Sequence, residues 1–344
     1  MDGVSVGQVP SGSDWYVPAG DRRIGQASGP GMCFGEFASR WLECVCVAWK
    51  PSQLETVQSI LRAHLIPAFG ERAIASILRQ DVLAFRARLV RTTPGRQGRA
   101  QMSGARANRV LSVLRQILLE AQAQYAIPAA TQEVAALPVR RSAIQPFTWE
   151  QVQQLVAAAP SPWQDYVLGR CLTGLRSGEI NGLHWDQVDL ARGVLQIRYA
   201  RVRGRQVLPK TEYAERDVPI SKPLRDLLER QRERTGQGAG WVFLTPQGHP
   251  VDTANFANRI WPRLLAKAGL TYRRPYETRH TYATLMLACG EQPAFIAATL
   301  GHADLSMLWS TYARYVPNLT RRDGAAFEAT LQAMSGATNK QEST

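Results

Sequence analysis

Residues 276–290, YETRHTYATLMLACG, open polar and continue as a helix that is apolar over most of its length. At helical spacing Arg279 shares a face with Tyr282, Ala283 and Met286, while His280 aligns with Ala283, Thr284 and Leu287. An arginine and a histidine are thus set on the side of a helix that enters the core. A buried guanidinium is costly unless a fixed anion meets it. Two sources of that anion stay open at this point: a carboxylate of the chain, or a ligand.

Outward from this helix, the segment 147–335 reads as a mixed α/β domain. It opens at Thr148-x-x-Gln151, a capping box. Val194–Tyr199, Gln206–Pro209 and Asp217–Ile220 read as short strands, with Gly204 at the turn of the first pair. Helices follow at about 222–234, 253–268, 278–289 and onward to about 334. Before this domain, TQEVAALPVRRSAIQP (131–146) has two prolines and no clear period, and reads as a linker. Residues 31–130 have a helical pattern. Ser52-x-x-Glu55 suggests a capping box before Leu54, Val57, Leu61 and Leu65, and Val110, Leu111, Leu114, Ile117, Leu118, Ala121 and Tyr125 form one stripe. Residues 1–30, rich in Gly, Ser and Pro, read as a flexible arm, and 336–344 as a disordered tail. The fold class is mainly α with a small β-sheet.

The 344 residues suffice for two domains with cores, and an apolar fraction of 45% supports packing. The 41 Lys and Arg against 28 Asp and Glu leave a net charge of +13. That excess points to a polyanionic partner, nucleic acid first and an anionic membrane second, against a basic protein with no special partner. Between Phe85 and Arg115 the chain carries Arg86, Arg88, Arg91, Arg96, Arg99, Arg106, Arg109 and Arg115 with no acid, a run suited to phosphate contact. Cys33, Cys44, Cys46, Cys171 and Cys289 make an odd set with no CxxC pair, which reads as small core residues in a reducing compartment. No run of about 18 uncharged apolar residues suggests a membrane span, and no signal pattern opens the chain, so the expected location is cytoplasmic.

Four further elements bear on the buried arginine. TGLRSGEINGLHW puts Arg176 just after Gly174, where one helix ends and a short one begins. Gln196 to Lys210 carries Arg198, Arg201, Arg203, Arg205 and Lys210, again with no acid. LGH (300–302) puts His302 after a glycine, and STYARYV places Tyr312 and Tyr315 near the domain's end. Each has a plain structural reading: Arg176 paired with Glu179, Arg279 paired with Glu277, Lys210 on the surface, His302 capping a turn.

Taken in order (Arg, hairpin Lys, Arg-His, Gly-His, Tyr), the set resembles the tyrosine recombinase (phage integrase) family. TGLRSGEINGLHWDQVDL, LPKTEYAERDVPI, YETRHTYAT, LGHADLS and the following tyrosine each match a family motif, and together they cover the second domain nearly end to end. The helical basic segment before them resembles the family's core-DNA-binding domain.

The resemblance implies a DNA-cutting and rejoining enzyme, the integrase of a phage or other mobile element, acting on double-stranded DNA as a homotetramer on two sites, with accessory DNA-bending or directionality proteins as possible partners. Two alternative readings stay beside it: a chromosome or plasmid dimer resolution recombinase, or a catalytically silent DNA-binding relative, against which the complete set Arg176, Lys210, Arg279, His302 and Tyr312 argues. The implied roles are Arg176 and Arg279 polarising the scissile phosphate, Lys210 as general acid, His302 as hydrogen-bond donor and Tyr312 as nucleophile. Glu179, Tyr276 and His280 are implied as supports, and no metal or other cofactor is implied. The chemistry is coherent: a tyrosine ester conserves the phosphodiester's energy, and planar guanidiniums suit the phosphate. Tyr276 stands where the family often has a histidine, and a phenol is no base at neutral pH without a large shift. Tyr312 and Tyr315 lie on nearly the same side of a helix, so geometry alone does not choose between them. The context MLWSTYARYV resembles integrases whose first tyrosine attacks.

Overall fold

The computed structural model describes residues 31–92, 101–127, 130–131, 133–139, 143–208, 215–236 and 240–315. The expected arm at 1–30, Arg96, Arg99, Lys210, the helix beyond 315 and the tail at 336–344 lie outside the described residues. Contacts divide the chain into two units, Met1–Arg141 and Ser142–Thr344.

The first unit is helical. Helix α1 (Phe34–Val45) buries Phe34, Phe37, Ala38, Trp41 and Leu42, a stripe at three- and four-residue spacing. Helix α2 (Pro51–Ile60) runs through a wider π turn (Leu61–Leu65) into α3 (Ile66–Phe69), with Val57, Leu61 and Leu65 inside the core. The capping box expected at Ser52 does not form. Pro51, preset for a first helical position, starts the helix earlier, and the Ser52 carbonyl accepts from Thr56 Oγ1 at 2.7 Å within it. Helix α4 (Arg79–Thr92) and the long α5 (Gly104–Tyr125) complete the unit, and α5 packs on α1, α2 and α4. Its stripe lies inward as read: Val110, Leu114, Ile117, Leu118 and Ala121 are buried, and Leu111 and Tyr125 pack at the margin.

The stretch 131–146 is divided between the units. Arg115 Nη2 donates to the Thr131 and Val134 carbonyls at 3.2 Å each, and Asn108 exchanges two 2.8 Å bonds with the backbone of Leu137. From the other end, the Gln145 N–H donates to Glu277 Oε2 at 2.8 Å, inside the second unit.

The second unit opens with α6 (Trp149–Ala158), capped as read. The Thr148 N–H donates to Gln151 Oε1 at 3.2 Å and the Gln151 N–H to Thr148 Oγ1 at 3.3 Å. Helices α7 (Trp163–Thr173) and α8 (Ser177–Asn181) follow, then strands β1 (Val188–Asp189), β2 (Val194–Ile197), β3 (Ala200–Val202), β4 (Arg205–Val207) and β5 (Arg216–Pro219). Strands β1, β2 and β5 form one antiparallel sheet in that order, and β3 and β4 a separate hairpin. The strand expected over 194–199 is therefore broken after Ile197, and its first half pairs with β5 rather than with the segment after Gly204. Two glycines explain the break. A Cβ at Gly182 would stand 2.7 Å from the Arg201 nitrogen, and one at Gly178 3.0 Å from its carbonyl oxygen, so β3 is drawn against α8 and away from β2. The hairpin turn is Arg203-Gly204, both at positive φ, as a tight two-residue connection requires.

Helix α9 (Lys222–Thr235), α10 (Thr253–Asn255), a π turn (Phe256–Ile260) and α11 (Trp261–Lys267) follow, with α9 packed on α7, α10 on α8 and α11 on α6. Then come α12 (Glu277–Ala288), α13 (Pro293–Leu300), α14 (Ser306–Tyr312) and a last turn, Ala313–Tyr315. Tyr282, Ala283, Leu287, Ile296, Leu300, Leu308 and Tyr312 form a small core of their own among these helices. Among the described residues no helix is long and apolar enough to cross a membrane. The reading of the five cysteines as core residues holds only for Cys171; Cys44 and Cys289 are exposed.

Candidate active site

Helix α12 carries Arg279 into the core at 1% exposure. Among the described residues no carboxylate is hydrogen-bonded to it. Its Nη1 donates to the Gly174 carbonyl at 2.8 Å and its Nη2 to the Leu300 carbonyl at 2.5 Å, while Nε is buried without a partner. The structural alternative, pairing with Glu277, is not realised: Glu277 Oε2 accepts the Gln145 N–H instead. The two acceptors are helix-end carbonyls. Gly174 follows α7 in the left-handed conformation (φ +61°), and Leu300 is the last residue of α13. Such carbonyls lack helical partners and carry partial negative charge, so they hold a cation without neutralising it. Burial, with Arg176 and Arg216 nearby, brings the Arg279 pKa down to about 10, which leaves it charged at neutral pH.

Arg176 sits at the start of α8. Its N–H donates to Glu179 Oε2 and its Nη1 pairs with Glu179 Oε1, each at 2.8 Å, so this pairing is realised. Its Nη2 reaches the Gly301 carbonyl at 3.1 Å, one residue from the carbonyl that holds Arg279. Glu179 is buried and also receives Arg216 through 2.9 and 3.2 Å bonds. Burial alone would raise its pKa, but Arg216 and Arg176 overcome that and hold it at about 2. Two guanidiniums, those of Arg176 and Arg216, share this one carboxylate, and with Arg279 beside them positive charge is in excess.

His302 follows Gly301 directly. Its N–H donates to the Ala297 carbonyl at 3.0 Å, and its Nδ1 is buried without a partner. Burial and the charges of Arg279, Arg176 and Arg216 lower its pKa to about 4, so the ring is neutral at pH 7. Tyr312, on α14, is 2% exposed, and its Oη lies 2.8 Å from His280 Nδ1. Burial raises its pKa. The other tyrosine is engaged elsewhere: Tyr315 Oη donates to the Ile144 carbonyl at 2.8 Å. Tyr276 is partly exposed, with its ring edge-on to His280 at 5.1 Å between centroids.

Residues 146–318 match the Phage integrase family, and residues 33–90 match the phage integrase N-terminal SAM-like domain. The chain belongs to the phage integrase family. Prophage integrase IntR of Escherichia coli strain K12 is 28% identical over 187 residues, 46% of this chain and 44% of the relative. The ICEBs1 integrase of Bacillus subtilis strain 168 is 25% identical over 311 residues, 83% of this chain and 80% of the relative. The chain spans 43% to 44% of the length of the first curated relatives it matches. Among solved structures, a Tn1549 transposon integrase in complex with a circular intermediate DNA superposes with a TM-score of 0.68 at 18% identity, covering 87% of this chain and 99% of that one. That likeness is one of fold.

The expected catalytic and supporting residues of this integrase-family chain that are described, all but Lys210, thus gather in two linked groups. Arg176, Glu179, Arg279 and His302 meet around the turn at 300–302, and Tyr276, His280 and Tyr312 form a chain of rings beside it. Among the described residues no three His, Cys, Asp or Glu side chains gather where they could share a metal ion.

The basic runs are less uniform. Arg88, Arg91 and Arg109 are exposed, and Arg106 is partly so. Arg86 donates to the Ala135 carbonyl at 2.8 Å and Arg115 to the 131–134 backbone, so both also hold the chain itself. Arg201 donates to the Val251 carbonyl and lies over the Trp241 ring, while Arg203 and Arg205 are exposed.

Two site-shaping residues escaped the sequence reading. Arg216 lies inside a quoted motif, AERDVPI, but was not singled out. Arg170 is fully buried on α7 and binds Ser177 Oγ, the Pro275 carbonyl and Thr278 Oγ1, tying the Arg176 turn to the start of α12. Its signal was present: a basic residue in an apolar helix, YVLGRCLTG, as at Arg279.

Proposed function

We propose that the chain is a site-specific recombinase that cuts and rejoins duplex DNA through a 3′-phosphotyrosine, serving integration and excision of a phage or other mobile element. The observation that carries this reading is the pair Arg176 and Arg279, fastened to helix-end carbonyls around one turn and left with net positive charge. Such a pair awaits an anion with several oxygens. A phosphodiester fits it through planar, bidentate contacts.

In the reaction, Arg176 and Arg279 stabilise charge on the non-bridging oxygens and His302 adds a hydrogen bond. Tyr312 Oη attacks phosphorus. The bond to the 5′-oxygen breaks, and that oxygen leaves with a proton from Lys210. The reverse attack by a 5′-hydroxyl of another strand rejoins the DNA. The exposed arginines of α4, α5 and the hairpin contact the duplex, and strand exchange takes place in a homotetramer on two DNA sites. IntR, named a prophage integrase, supports the biological role.

The test is a nicked duplex carrying the end sequence of the adjoining element, incubated with EDTA. A covalent adduct should form without metal, and peptide mass spectrometry should place it on Tyr312. Tyr312→Phe should bind the duplex and form none. An adduct on Tyr315, or a strict magnesium requirement, overturns the mechanism.

A further inference from the structure

Tyr312 must lose a proton as it attacks, and Tyr276 cannot take it as an imidazole would. We propose that His280 is the residue that accepts the proton of Tyr312, through Nδ1. This rests on the recombinase reading above and assigns its missing base.

The geometry is specific. Tyr312 Oη lies 2.8 Å from His280 Nδ1, within reach for direct transfer. It is the one hydrogen bond of that hydroxyl among the described residues, and in the tautomer with the ring proton on Nε2 the phenol donates and Nδ1 accepts. Both side chains are fixed. His280 is half-buried on α12, with the Tyr276 ring on one side and the Tyr312 ring on the other, at 5.1 and 5.6 Å. The groups that bear on the pair are Arg279 and Glu277 on α12, Tyr276 before it and Tyr312 on α14.

Electrostatics link this base to the substrate. Burial first, and then the Arg279 charge, lower the His280 pKa to about 4. The ring is therefore neutral at pH 7, with Nδ1 free to accept. A phosphodiester seated on Arg279 offsets the guanidinium that opposes protonation of His280, so basicity rises where the substrate is bound. The transfer balances. The Oη–H bond breaks and its proton moves to Nδ1 to give imidazolium, the phenolic electron pair forms the bond to phosphorus, and the 5′-oxygen leaves with the P–O electron pair. When a 5′-hydroxyl reverses the step, the same imidazolium returns the proton to the departing phenolate.

His280→Asn tests this, because its amide oxygen can accept the Tyr312 hydrogen bond but cannot take the proton. Single-turnover cleavage of the nicked duplex is measured from pH 6 to 9.5, beside duplex affinity. The variant should bind as wild type and cleave about 10²–10⁴ times more slowly at pH 7. Its rate should climb with hydroxide, whereas the wild-type rate should level off. His280→Gln serves where Asn does not fold. A variant within tenfold of wild type and with the same pH profile makes His280 a positioning residue and overturns the assignment. A wild-type chain that forms no Tyr312 adduct overturns the recombinase reading itself.

Discussion

The arginines of α4 and α5 and those around α8 and α12 are one residue type in two settings. In the first unit Arg88, Arg91 and Arg109 stand in solvent along helix faces. In the second, Arg279 is 1% exposed and Arg216 8%. Within the buried set a further difference matters more. Arg216 is neutralised by Glu179, while Arg279 is held by the carbonyls of Gly174 and Leu300. Arg216 gives both its Nη groups to that carboxylate and is structural, whereas Arg176 gives it only Nη1 and turns Nη2 to the Gly301 carbonyl. The pair of carbonyls fixes Arg279 in position and leaves its charge available.

The largest expected effect sets Arg216 against Arg279. Arg216→Met leaves the Glu179 carboxylate buried with only Arg176, a loss of about 3–5 kcal/mol that should show as a fall in Tm. Arg279→Met should keep the chain folded and bound to duplex while cleavage drops about 10²–10³-fold. Thermal unfolding and single-turnover cleavage on both variants check this. If Arg279→Met unfolds the chain as fully as Arg216→Met, the distinction between the two arginines collapses.

Acid sharpens the same contrast. The Glu179 pKa is depressed in the folded state, so its stabilisation is complete above the unfolded value near 4.5 and is lost as pH falls toward about 2. His280 and His302 are bases held neutral, with pKa values near 4 against 6.5 in the unfolded chain. The unfolded chain binds their protons first, so their part is lost earlier, between pH 6.5 and 4. Tm measured against pH should therefore fall in two stages. In Glu179→Gln the second stage should shrink and the first persist; an unchanged second stage would remove Glu179 from the acid response.

The smallest effects belong to the surface. Arg88→Ala and Arg109→Ala should each move stability by no more than about 0.5 kcal/mol and lower the salt slope of duplex binding by about 1. A salt response unchanged in both variants would take α4 and α5 out of the DNA interface.

Much of this was legible in the sequence because side-chain spacing encodes it. The stripe of α5, the capping box at Thr148 and the burial of Arg279 beside Tyr282 and Ala283 all follow from helical periodicity. What the sequence withheld were contacts made by the main chain or between distant segments. Nothing in the letters at 174 and 300 says that their carbonyls hold Arg279. The break after Ile197 depends on how closely β3 approaches Gly178 and Gly182, which neither segment states alone. The contact between His280 and Tyr312 joins residues 32 positions apart. The family motifs set both near the site without saying that they touch.

The fastening of Arg176 and Arg279 to the backbone around residues 300–301 bears on any attempt to transplant this chemistry. A designer who copied the five reactive side chains onto a foreign scaffold would leave behind Glu179, which holds Arg176, and also the carbonyls of Gly174, Leu300 and Gly301, which have no side-chain identity. The portable unit is instead the end of α7 and the short α8 together with the α13 turn. In this chain part of the blueprint of the site is written in peptide carbonyls, and a list of residue types leaves that part out.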